Sequence, residues 1–91
     1  MVVVSYDISD DKLRATFSKF LGKFGYRLQY SVFKIENSRH ILNNIVQEIE
    51  NKFSKKFDEK DSVIIFKLSS NCEIIKYGYA KHEDESAIII G

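Results

Sequence analysis

The segment YRLQYSVFKIE, residues 26–36, decides the fold. It is rich in aromatic and β-branched residues and reads as extended chain. Eleven residues are long for one strand in a small domain. A tight turn near Gln29–Ser31 would divide it into two short antiparallel strands, whereas one bent strand would leave the chain a strand short. The division is the reading we adopt. It places a strand pair in the middle of a chain that otherwise alternates strand and helix.

Outward from that pair, the remaining elements follow from hydrophobic spacing. Upstream, Val2–Tyr6 is a nearly continuous apolar run, the mark of a central strand covered on both sides. Ser9, Asp10 and Asp11 suit a helix N-cap and first turn. Leu13, Phe17, Phe20, Leu21 and Phe24 then share one helical face, and Gly25 is expected to stop the helix. Downstream, Ser38 caps a second helix with the stripe Ile41, Leu42, Ile45, Val46, Ile49 and Phe53. KKFDEKD, residues 55–61, reads as a polar loop. Ser62–Leu68 is a strand with Ile64, Phe66 and Leu68 on one side and Val63 and Ile65 on the other. Ser69–Asn71 reads as a turn, with Cys72 beside it, and Glu73–Ala80 as another strand. The charged connector at 81–85 leads to a last short strand, SAIIIG, at 86–91.

This order predicts an α+β, ferredoxin-like βαββαβ domain over residues 1–91, with one antiparallel sheet, two helices on one face and an extra C-terminal strand. The other sheet face is then open. We expect it to carry Tyr6, Phe33 and Val63, and to be covered by a second copy of the chain, with Tyr6 and Phe33 at the homodimer seam. Ile88, Ile89 and Ile90 are expected to be buried by adding the 81–91 segment to a partner sheet.

Composition excludes several classes. With 91 residues there is room for one domain, and a hydrophobic share of 44% argues against disorder. No apolar run is long enough for a membrane helix, which predicts no membrane association. The start, MVVVSYD, lacks a basic stretch, so no signal peptide is expected. The lone Cys72 forms no internal disulfide, and a reduced, cytoplasmic setting follows. The net charge of +1 conceals an asymmetry. Residues 1–11 carry Asp7, Asp10 and Asp11 and no base, whereas residues 12–47 set Lys12, Arg14, Lys19, Lys23, Arg27, Lys34 and Arg39 against Glu36 alone. Such a basic half can bind a polyanion, and it can equally be a set of solvated helix faces.

Two segments together, YDISDDKLR and GYRLQYSVFKIE, closely resemble the small CRISPR-associated Cas2 proteins, partners of the Cas1 integrase. The matching residues are Tyr6, Asp7, Asp10, Asp11, Arg14, Gly25, Arg27, Gln29, Ser31, Val32 and Phe33. The resemblance implies a ferredoxin-like homodimer in CRISPR adaptation (spacer acquisition) that bridges integrase dimers and holds double-stranded prespacer DNA. It also implies an alternative, a metal-dependent endonuclease acting on RNA or DNA, in which Asp7 is the catalytic and metal-binding residue near its symmetry mate. A toxin-like ribonuclease of the same fold is a further alternative.

The chemistry of the residues bears on these readings. A Mg²⁺ or Mn²⁺ ion wants about six oxygen ligands, so an ion shared between two Asp7 carboxylates would need water or phosphate oxygens as well. Without the resemblance, Asp7 reads as a capping acid. Asp10 and Asp11 read as helix-dipole partners or as orienters of metal-bound water. Lys12, Arg14, Lys19, Lys23 and Arg27 are the phosphate-contact candidates, with no pattern for reading base edges. Thr16 stands where relatives often carry a second basic residue, which weakens the nuclease reading. Ser31 serves either a phosphate or its own turn. His40 and His82 form no cluster and read as surface residues. The acidic run His82–Glu85 either meets the integrase or is solvated.

Overall fold

A computed structural model describes residues 1–68 and 73–78. Five strands and two helices follow one another: β1 (Val2–Asp7), α1 (Asp11–Leu21), β2 (Gly25–Gln29), β3 (Val32–Ile35), α2 (Arg39–Glu48), β4 (Ser62–Lys67) and β5 (Glu73–Gly78). The strands form one antiparallel sheet in the order β2-β3-β1-β4-β5. This is the ferredoxin-like arrangement with a fifth strand added beside β4. The segment 26–36 is divided at Tyr30–Ser31, and the register shift between Arg27 and Gln29 absorbs the odd residue before the turn.

The helices obey their caps. Asp10 accepts the Leu13 N–H at 2.8 Å at the head of α1, and Ser38 accepts the Ile41 N–H at 3.3 Å at the head of α2. Beyond Glu48 the coil continues through a π-helical turn (Ile49–Phe53) and a 3-10 turn (Ser54–Lys56), which carries the apolar stripe on to Phe53. Helix α1 ends earlier than Gly25. Its last residue is Leu21, and Gly22 closes it by donating to the Ser18 carbonyl. Gly25 instead opens β2. It lies so close to β3 that a Cβ there would sit 1.9 Å from the Lys34 carbonyl oxygen. Close backbone approach, rather than helix termination, is what requires glycine at this position.

The core lies between the helices and one sheet face. Phe17, Leu21, Ile45, Ile49 and Phe53 descend onto Val4, Tyr6, Phe33, Ile35, Val63 and Ile65. Phe17 meets the Tyr6 and Phe53 rings edge-on, at centroid distances of 5.2 and 4.9 Å. Each such ring contributes about 1.5–3 kcal/mol by burial.

The expected placement of Tyr6, Phe33 and Val63 on the open face is overturned. All three point into the core and are buried. Strand alternation gives the reason: Val2, Val4 and Tyr6 share a phase, and the helix-borne Phe17 needs a partner on that phase. The opposite phase holds Val3, Ser5 and Asp7. The open face is therefore built from other residues. Val3 stands between Lys34 and Phe66, Ser5 between Val32 and Ile64, and Ile74 beside Phe66. These make a half-buried apolar strip, bordered by Lys34 and Lys76. On β4 the expected division holds, with Val63 and Ile65 inward and Ile64 and Phe66 outward.

Strand β5 runs to Gly78. The expectations for 79–91, including strand addition by Ile88, Ile89 and Ile90, and those for Cys72, His82 and the turn at 69–71, lie outside the described residues. No described helix is long and apolar enough to cross a membrane.

Candidate nucleic-acid interface

Asp7 is the last residue of β1, opposite Ser62 of β4, and its side chain is exposed at one end of the open face. Among the described residues its carboxylate accepts no hydrogen bond, so the capping role is not the one it takes. The next residue, Ile8, turns into the core. This reversal presents Asp7 to one side of the sheet while the chain continues on the other.

The loop after Asp7 is held from two sides. Arg14 donates to the Ile8 carbonyl at 3.0 Å and to the Ser9 carbonyl at 3.5 Å, and also pairs with Asp11. The bond to Asp11 raises the Arg14 pKa further, so the guanidinium stays charged. From the far side, Asp61 accepts the Ser9 N–H and hydroxyl, and Asp58 accepts the Ser9 hydroxyl at 2.8 Å. The Ser9 hydroxyl and the Lys60 N–H hold the Asp58 carboxyl below its ordinary value of 3.8. Asp10 and Asp11 are used locally, as cap and as ion-pair partner.

The five phosphate-contact candidates do not form one row. Arg14, Lys19 and Arg27 come together around a cleft of about 320 Å³ between α1 and the β2–β3 turn, with Tyr6, Ser18 and Tyr30. Lys23 lies in a separate groove between α1 and α2, beside Lys52 and over Phe20, Phe24 and Phe53. Lys12 lines a third hollow in acidic company, with Asp10, Asp58 and Asp61. Arg27 is the best placed of the five. Its guanidinium donates to Ser18 Oγ at 2.6 Å and lies 5.3 Å over the Phe33 ring. Phe33 is thus a buried support for this arginine rather than an exposed seam residue. Ser31 serves its turn through its backbone, accepting the Tyr6 N–H at 3.1 Å. His40 is exposed on the first turn of α2.

Sequence reasoning missed three residues. Asp61 is buried inside a stretch read as a polar loop, and nothing local marks it. Ser18 had no signal beyond its position on the basic side of α1. Tyr30 did carry one: a large aromatic at a turn, where small or polar residues are the rule. Among the described residues, no group of three or more His, Cys, Asp or Glu side chains is placed to hold a metal ion.

Comparison with known proteins agrees with this architecture. The family model for CRISPR associated protein Cas2 matches residues 1–74. A Mycobacterium tuberculosis protein named CRISPR-associated endoribonuclease Cas2 is 35% identical over 77 residues, which cover 85% of this chain and 65% of the relative. The chain therefore spans just under two thirds of that relative's length. An Archaeoglobus fulgidus protein named CRISPR-associated endoribonuclease Cas2 1 is 42% identical over 74 residues, covering 77% of this chain and 72% of the relative. In fold, the chain is similar to the crystal structure of a hypothetical protein from Thermus thermophilus, with a TM-score of 0.64 at 24% identity over 81% of this chain and 87% of that one. A strand ending in an outward aspartate, an arginine pinning the following loop and a ferredoxin-like sheet accompany these matches, and the chain belongs to the CRISPR-associated Cas2 family.

Proposed function

We propose that this chain is the homodimeric Cas2 subunit of CRISPR adaptation, which joins Cas1 integrase dimers and holds the backbone of double-stranded DNA. The observation that carries this reading is the open sheet face. Its strip of Val3, Val32, Ile64, Phe66 and Ile74 is apolar, half-buried and uncovered by either helix. A second copy of the same face buries that strip and satisfies the symmetry of a two-fold contact. Arg14, Lys19 and Arg27 lie at the α1 side of the molecule, away from that contact, where a phosphate backbone has access. Binding of this kind is independent of base sequence and weakens steeply with salt.

A second reading, a metal-dependent endoribonuclease, is favoured by the exposed Asp7 carboxylate and by the name its relatives carry. Asp7 is a hard oxygen donor, which fits Mg²⁺ or Mn²⁺, but one carboxylate fills only part of an octahedral shell. The site is complete only with the Asp7 of a second chain and with water or phosphate oxygens. When bound, such an ion would supply a Lewis acid and an activated water. The chain's own part is to hold Asp7 at a rigid strand end.

The Asp7→Ala variant separates the two. Duplex DNA binding and spacer acquisition both remain if the chain acts by bridging. If acquisition is lost while binding remains, or if the wild type cleaves RNA with Mg²⁺ and the variant does not, the enzyme reading replaces it.

A further inference from the structure

The cleft between α1 and the β2–β3 turn holds more than a phosphate track requires. Tyr30 lines it, and with 78% of its surface exposed it is the most solvent-accessible large hydrophobic side chain among the described residues. Among the described residues no ring or hydrogen-bond partner engages this side chain, and the turn is secured by the bond from Tyr6 N–H to the Ser31 carbonyl. An aromatic at such a position lowers solubility without adding to the core, yet it stands on a fixed backbone beside three cations.

Arg27 is prepared in the same cleft. Ser18 and the Phe33 ring hold its guanidinium in place, and among the described residues only one of its five N–H donors is engaged. A prepositioned fork loses less side-chain entropy when it meets a phosphate. Lys19 is exposed on the adjoining turn of α1. Among the described residues the one acid lining the cleft, Asp11, is paired with Arg14. A volume of about 320 Å³ is at the lower end of small-ligand sites, roughly 300 Å³. A ring with an open face, a prepared arginine and an exposed ammonium are the parts of a site for a single unstacked nucleotide.

We propose that this cleft is a subsite for one unpaired nucleotide at the end of a bound duplex, its base stacked on Tyr30 and its phosphate held by Arg27 and Lys19. This deepens the proposed nucleic-acid role and rests on it. It makes the protein sensitive to strand ends as well as to backbone charge.

The test compares a blunt DNA duplex with the same duplex carrying a short single-stranded extension, by fluorescence anisotropy on the intact protein. Wild type binds the extended duplex more tightly. Tyr30→Ala lowers affinity for the extended duplex by about fivefold or more, the smallest loss expected for removing one base–aromatic stack, and leaves the blunt duplex unchanged. Tyr30→Phe keeps the difference. Because Tyr30 is exposed, none of these changes disturbs the core. Equal binding of the two duplexes by wild type, or equal effects of Tyr30→Ala on both, overturns the subsite while leaving backbone binding standing. Absence of binding to either duplex overturns the nucleic-acid reading and the subsite with it.

Discussion

The Asp61 carboxylate, 2% exposed, accepts both the backbone N–H and the hydroxyl of Ser9, each at 2.9 Å. Its second oxygen accepts the Asp58 N–H at 3.0 Å. One buried acid therefore fastens the loop after Asp7 to the loop before β4, and both loops border strand ends on which Asp7 and Ser62 face each other. The rigidity of the candidate site depends on a residue that does not belong to it.

Replacing Asp61 by Ala leaves the Ser9 and Asp58 N–H groups without their acceptor at part-buried positions, while the Ser9 hydroxyl keeps Asp58. We expect a loss of about 3 kcal/mol in unfolding free energy, measured by urea denaturation. Asp61→Asn retains the oxygen facing Ser9 but turns an amide donor towards the Asp58 N–H, so its loss is smaller. An Asp61→Ala midpoint within error of wild type would show that the latch contributes nothing.

A pH dependence at the alkaline end comes from Tyr77. Partial burial, and then the Glu50 carboxylate 3.3 Å from its hydroxyl, push the phenol up to about 12 from 10.0. The folded value lies above the unfolded one. The associated stability is therefore present in full below about pH 10 and is lost as pH rises from there towards about 12. Thermal melts across this window should show a decline for wild type and a flatter curve for Tyr77→Phe. Superimposable curves would remove Tyr77 as the source.

The open sheet face makes a prediction about mass. Phe66→Glu puts a charge into the apolar strip, opposite Val3 and Ile74, without touching the core beneath the helices. Light scattering should give two chains for wild type and one for the variant. A single-chain mass for wild type at high concentration contradicts pairing through this face.

Much of the architecture was legible because its signals are local. The split of 26–36 follows from strand length, the caps Asp10 and Ser38 from side chains that bond three residues on, and the two faces of β4 from simple alternation. The mistaken end of α1 at Gly25 is instructive: glycine marks close backbone approach as readily as a helix stop, and only the partner strand tells which. The placement of Tyr6 and Phe33 failed for a different reason. Val2–Tyr6 is apolar on both phases, and the polar hints at Ser5, Asp7 and Lys34, all on the outward phase, are sparse. Which phase is covered depends on where α1 sets Phe17 against Tyr6, a contact between two separate elements.

The amino-acid order alone determined the kind and order of the described elements, the antiparallel ferredoxin-like plan, the family resemblance and the place of Asp7 at the end of β1, because each rests on periodicity or on neighbours within a few residues. Tertiary structure alone decided which cations share a cleft, that Arg27 stands on Phe33, and that Asp61 secures Ser9 across 52 positions. Those are distances between segments, and a distance exists only once packing has brought the segments together.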